Sequence, residues 1–179
     1  MADLLDLEYP FTGRWLVQNS PANRVPSHGT ALFATSYAIT LGSLLRSERP
    51  ERFPGFGRSV LAPVQGVVIA AHDVEPDHPA HRGFPSIGYA LTQQRRAQAG
   101  WVALAGNHVF IESGGIVVAL CHLVHGSVRV QPGQHVQVGD VLGQCGNSGN
   151  STEPHVHVQA IDTADIARAN AVRLTFNGL

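Results

Sequence analysis

Apolar and polar positions alternate along this chain in short runs. Apolar and β-branched runs recur at 59–62, 66–71, 108–112, 116–120, 127–130, 141–144 and 155–159, the last with strict period-two alternation, and each reads as a strand. Gly, Pro or Asn fills nearly every gap, as in Ser113-Gly114-Gly115 and Gln131-Pro132-Gly133. Helical spacing is scarce: residues 87–99 predict one short helix and 163–172 a second, while 75–85 reads as a long loop. The pattern predicts an all-β fold of antiparallel sheets with one or two short helices. No linker divides the chain, so 1–179 is expected to form one domain.

The most telling run is His155-Val156-His157-Val158-Gln159. Residues two apart on a strand share a face, so the two imidazoles stand side by side with the valines behind them. Such a pair can hold a metal, or one ring can hold it while the other handles a proton. Exposed histidines on a half-polar strand are the plainer alternative.

Composition removes several function classes. With 12 cationic and 13 acidic residues the net charge is −1, so there is no basic footprint for nucleic acid. All 12 cations are arginine. No apolar stretch is long enough to span a bilayer, and the acidic N-terminus lacks the basic start of a secretory leader. That implies a cytoplasmic protein by default, or one of the cell envelope or exterior if a leader has been removed. Cys121 and Cys145 are too few for a disulfide scaffold and read as buried fillers of strands, with their pairing left open.

The hairpin 131–143 and the piece Leu61-Ala62-Pro63-Val64-Gln65-Gly66-Val67-Val68 resemble those of barrel-sandwich hybrid folds, which include biotinyl and lipoyl carriers. A carrier needs a lysine for its prosthetic group, and this chain has none. Three segments then follow in order: Ala119-Leu120-Cys121-His122-Leu123, the Pro-Gly-Gln…Gly-Asp-Val-Leu-Gly hairpin, and Gly146-Asn147-Ser148-Gly149-Asn150-Ser151-Thr152-Glu153-Pro154-His155-Val156-His157. This succession resembles peptidase family M23, the lysostaphin-type and LytM-type zinc endopeptidases that cut peptide cross-links of bacterial cell walls. Pro26-Ser27-His28-Gly29-Thr30 and Tyr37-Ala38-Ile39-Thr40 look like the family's first metal segment, so the resemblance covers about residues 26–160.

The resemblance implies a grooved β fold, one zinc ion, and a peptide or peptidoglycan substrate. It makes His28 and His157 metal ligands and sets His122 and His155 beside the metal-bound water as catalytic residues. Thr40 departs from the pattern, standing where the resemblance calls for a ligand aspartate. A neutral hydroxyl is a poor zinc ligand, and Asp73 and Glu153 are the acids to inspect as substitutes. Two other functions stay open: a non-catalytic relative that binds peptide or a partner protein, and a phosphocarrier using paired histidines.

Overall fold

Strands form at six of the seven predicted runs and at further short segments outside them. The computed structural model describes residues 4–29, 31–42, 47–80 and 100–177. In chain order the strands are β1 (Leu5–Leu7), β2 (Leu16–Asn19), β3 (Ile39–Gly42), β4 (Ser59–Leu61), β5 (Gly66–His72), β6 (Asn107–Ser113), β7 (Ile116–Leu123), β8 (His135–Val136), β9 (Val141–Gln144), β10 (His155–Ile161), β11 (Ala171–Val172) and β12 (Leu174–Phe176). Two 3-10 segments, Leu32–Tyr37 and Pro50–Arg52, and one short helix α1 (Trp101–Ala105) complete the described elements.

One sheet dominates, with strands in the order β2-β3-β10-β7-β6-β5-β8 and β11 beside β10. Its pairings are antiparallel. The β4–β9 ribbon is antiparallel as well, whereas β1 and β12 pair in parallel. The β6–β7 hairpin turns through Gly114 and Gly115, both at positive φ, with Ser113 opposite Ile116. That is the two-residue turn whose twist matches the flanking strands.

Period-two burial sorts the two faces. Val156, Val158, Leu120, Val118, Ile39 and Leu41 pack with Val60 and Leu142 of the β4–β9 ribbon into the main core. On the opposite face Ala119, Cys121, Phe110 and Ile161 meet Ala105 of α1 and Ala34 of the Leu32–Tyr37 segment. Between these covers the second face opens into a groove.

Two expectations fail. Residues 163–172 form turns followed by β11 instead of a helix. Residues 127–130 run beside β9 without joining a ladder: Arg129 N–H donates to Leu142 O (2.9 Å), but the Ser127 hydroxyl accepts from Gln144 N–H (3.0 Å) where a backbone carbonyl would have served. The expected helix at 87–99 lies outside the described residues. Both cysteines are free and buried.

Candidate active site

Three adjacent strands, β3, β10 and β7, carry the site. Register places His157 of β10 opposite Thr40 of β3 and Cys121 of β7, so these three share one row on the groove face. His155 lies one pleat repeat along, opposite Gly42, and Gln159 lies opposite Ala119. His122 should by alternation point into the core with Leu120. It does not, because β7 carries an extra residue there: Cys121 pairs with His108 and Leu123 with Asn107, leaving His122 in a bulge at φ 67°. That left-handed backbone is uncommon for a side chain of this size and swings the ring onto the groove face.

The structure thus brings His28, Thr40, His122, His155 and His157 to the wall of one groove of about 290 Å³. The rings of His28 and His157 are 4.9 Å apart, those of His122 and His155 4.7 Å, and those of His122 and His157 6.0 Å. Gln18, Asn19, Asn150 and Thr152 give neutral polar lining, and Phe33, Trp101, Phe110 and Ile166 an apolar wall. No Asp, Glu or Arg lines it among the described residues.

Partners fix which nitrogen of each ring faces the groove. Carbonyl oxygens only accept, so His122 Nδ1–H donates to Ser148 O (2.9 Å) and His155 Nδ1–H to Glu153 O (2.7 Å). His157 Nε2–H donates to Gln159 Oε1 (2.8 Å), whose amide in turn donates to Phe33 O (3.2 Å). The Ser27 hydroxyl has one hydrogen, and Ala38 O takes it at 2.7 Å. Ser27 Oγ therefore accepts from His28 Nδ1–H (3.0 Å), which leaves His28 Nε2 as the acceptor of the Thr40 hydroxyl (2.8 Å). Each imidazole is locked through one nitrogen and keeps a lone pair on the other, which on His28 accepts from the Thr40 hydroxyl.

Electrostatics keep these rings neutral. Burial pushes His28 and His155 down to about 3, with the neighbouring His157 adding to both shifts. His122 falls well below the usual imidazole value through burial and then through His155. Burial also lowers His157, partly offset by its bond to Gln159. Burial raises the Cys121 thiol to about 12.

The sequence did not single out Ser27, Ser148 and Gln159 as functional. For Gln159 a signal existed, since it continues the His155–His157 alternation. The two acids named as substitutes serve elsewhere: both Asp73 oxygens accept from the turn at Gly126 and Val128, and Glu153 Oε1 accepts from Gln18 Nε2 (2.7 Å). Of the other histidines, His108 stacks on His72, and His78 Nε2 lies 3.0 Å from Gly149 O.

Among the described residues no three His, Cys, Asp or Glu side chains form a metal-holding group. The donor chemistry nevertheless suits a borderline divalent cation. Neutral imidazoles line one groove with carbonyl, amide or hydroxyl oxygens behind them, the kind of partner that orients metal-bound histidines.

Residues 89–168 match the model described as Peptidase family M23. A mutant catalytic domain of the prophage-encoded M23 protein EnpA from Enterococcus faecalis superposes with TM-score 0.56 at 16% identity, covering 93% of this chain and 93% of that one. The M23 metalloprotease Pseudoalterin, of deep-sea source, gives 0.52 at 14% identity, over 96% of this chain and 76% of that one. A zinc-containing peptidase from Vibrio cholerae gives 0.50 at 18% identity, over 85% of this chain but 35% of that one. These likenesses establish the fold.

Proposed function

We propose that this chain, whose residues 89–168 match the model of peptidase family M23, is a zinc-dependent metalloendopeptidase that hydrolyses peptide bonds of peptidoglycan cross-bridges or other Gly- and Ala-rich peptides. The observation that carries this reading is the aim of four locked imidazole lone pairs into one groove. Zinc in the Vibrio cholerae relative supports the choice of metal.

His28 Nε2 and His157 Nδ1 are the ligands in this reading. Zinc, when bound, lowers the pKa of a bound water to about 7 and polarises a carbonyl. His155 Nε2, with its Nδ1–H held by Glu153 O, would take a proton from the attacking water and return it to the leaving amine. The neutral amides of Gln18, Asn19 and Asn150 offer donors and acceptors to a peptide backbone, and the Trp101–Phe110 wall limits water on the other side.

A second reading is favoured by Thr40: a non-catalytic relative that keeps the groove and binds peptide. Elemental analysis of the full chain beside Thr40→Asp, followed by cleavage assays on glycine-rich peptides and peptidoglycan fragments, separates the two. One zinc per wild-type chain and cleavage support the peptidase. Zinc in Thr40→Asp alone, with no wild-type cleavage, selects the binding role.

A further inference from the structure

Two consecutive amide side chains on β2, Gln18 and Asn19, line the same groove as the histidines. We propose that they position a substrate by its main chain, with Gln18 Oε1 accepting one N–H of an extended peptide and the Glu153 carboxylate fixing the amide that presents it. This rests on the reading that a peptide occupies the groove, and it adds a specificity. The substrate residue at that position must carry an N–H, so glycine or alanine fits there and proline or any other N-substituted residue does not.

Strand alternation would send Gln18 and Asn19 to opposite faces. Instead β2 carries an extra residue. Val17 pairs with Leu41 and Asn19 with Thr40, which leaves Gln18 in a bulge and lets both side chains reach the groove. Asn19 thereby joins the row of Thr40, His157 and Cys121. Gln18 reaches over Gly42, the residue opposite His155. A Cβ on Gly42 would lie 2.9 Å from Gln18 Nε2 and 3.1 Å from His155 Cβ, so the bare glycine leaves the space in which they meet. The two amides thus stand on the rows of His157 and His155, two residues apart on β10. Two residues of extended chain span about 6.6 Å, the interval at which a strand repeats its N–H groups along one edge.

Glu153 decides which end of the Gln18 amide is offered. A carboxylate only accepts, so the 2.7 Å contact of Glu153 Oε1 takes Gln18 Nε2 as its donor and leaves Gln18 Oε1 for a ligand. Glu153 is itself buried, and its backbone O holds His155 Nδ1–H, so one residue orients both the amide and the neighbouring imidazole. Among the described residues neither Gln18 Oε1 nor the Asn19 side chain has a hydrogen-bond partner. With no Asp, Glu or Arg among the described lining residues, this end of the groove matches a neutral main chain better than a charged side chain.

The test uses the full chain and intrinsic fluorescence, because Trp101 lines the groove while the other tryptophan, Trp15, stacks on Phe11. Wild type, Gln18→Met and Asn19→Ala, each checked for fold by circular dichroism, are titrated with N-acetylated pentaglycine. The titration is repeated with peptides in which one residue at a time is N-methylglycine. Where a peptide is cut, KM replaces the dissociation constant, and kcat is expected to hold because ground and transition states lose the same bond. Gln18→Met keeps the length, removes the acceptor, and is expected to bind the parent peptide about 3–10-fold more weakly, the worth of one hydrogen bond. At one position N-methylation is expected to cost wild type about 3–10-fold more than it costs Gln18→Met, which a purely structural role for Gln18 would not produce. Asn19→Ala is expected to weaken the parent peptide by a similar factor and to keep that sensitive position. Identical N-methyl profiles in wild type and folded Gln18→Met overturn the assignment, as does unchanged affinity for the parent peptide. A wild type that binds none of the peptides overturns the peptide reading of the groove itself, so the two failures are distinct.

Discussion

Gln159 offers the sharpest probe of the locked-imidazole arrangement, because it holds the His157 ring through Nε2 and leaves Nδ1, the proposed metal ligand, untouched. Its side chain is buried, with Oε1 accepting from His157 Nε2–H at 2.8 Å and its amide donating to Phe33 O at 3.2 Å. Gln159→Leu keeps the bulk and removes both partners. The buried His157 N–H then either stays unpaired, costing about 1–3 kcal/mol, or the ring moves its proton to Nδ1 and loses the lone pair aimed at the groove. Both routes weaken metal binding, by about 10–100-fold, or roughly 1.4–2.7 kcal/mol. Gln159→Glu keeps an acceptor and adds negative charge, so it is expected to bind zinc more tightly than wild type. Chelator competition gives the affinities, and urea unfolding of the metal-free proteins gives the stability loss. Unchanged affinity together with unchanged stability in Gln159→Leu refutes the placement of the His157 proton and with it the derived aim of Nδ1.

Two further outcomes follow from the packing and the charge states. Gly149 sits at φ +69°, where an added Cβ would lie 2.4 Å from Gly106 N, so Gly149→Ala must displace the loop whose Ser148 O orients His122. A loss above about 3 kcal/mol in urea unfolding is expected, and a neutral result would contradict the contact. His108 is almost fully buried and held near 4 by burial, so between about pH 4 and 6.5 the unfolded chain binds the extra proton and stability falls as pH drops. Its share at pH 5 is about 2 kcal/mol. Unfolding curves at pH 7 and 5 should show His108→Gln losing less than wild type over that interval; an equal loss would refute the shift.

How much was legible depended on whether side-chain periodicity or local bonding decided the outcome. β10 was readable because His155, His157 and Gln159 alternate with valines, and its register delivered the shared face as expected. β3 carries no strand signal of its own, since Ile39–Gly42 is only four residues long with one polar position, Thr40, and every residue in it is buried. The expected helix at 163–172 gave way to local competition: Asp162 and Asp165 carboxylates accept from the backbone of Asn170 and Ala167. His122 was found by its motif, but its direction was hidden. Strand parity points it into the core, and only the extra residue in β7 turns it outward.

That turn has an electrostatic consequence. The row Thr40–His157–Cys121 supplies no negative charge, because threonine is neutral and the buried thiol, raised to about 12, stays protonated at neutral pH. Imidazole ligands alone would leave a bound dication with its full charge, where an aspartate at position 40 would halve it. One unit of charge at about 4 Å is worth about 4 kcal/mol at an effective dielectric of 20. Even a quarter of that corresponds to about fivefold in binding a small anion. Acetate titrated against the cobalt-substituted protein, read by visible absorption, should bind at least about fivefold more tightly to wild type than to Thr40→Asp. Equal acetate affinity in the two would mean that the charge at position 40 is not felt at the metal, and that the substitution there acts on geometry alone.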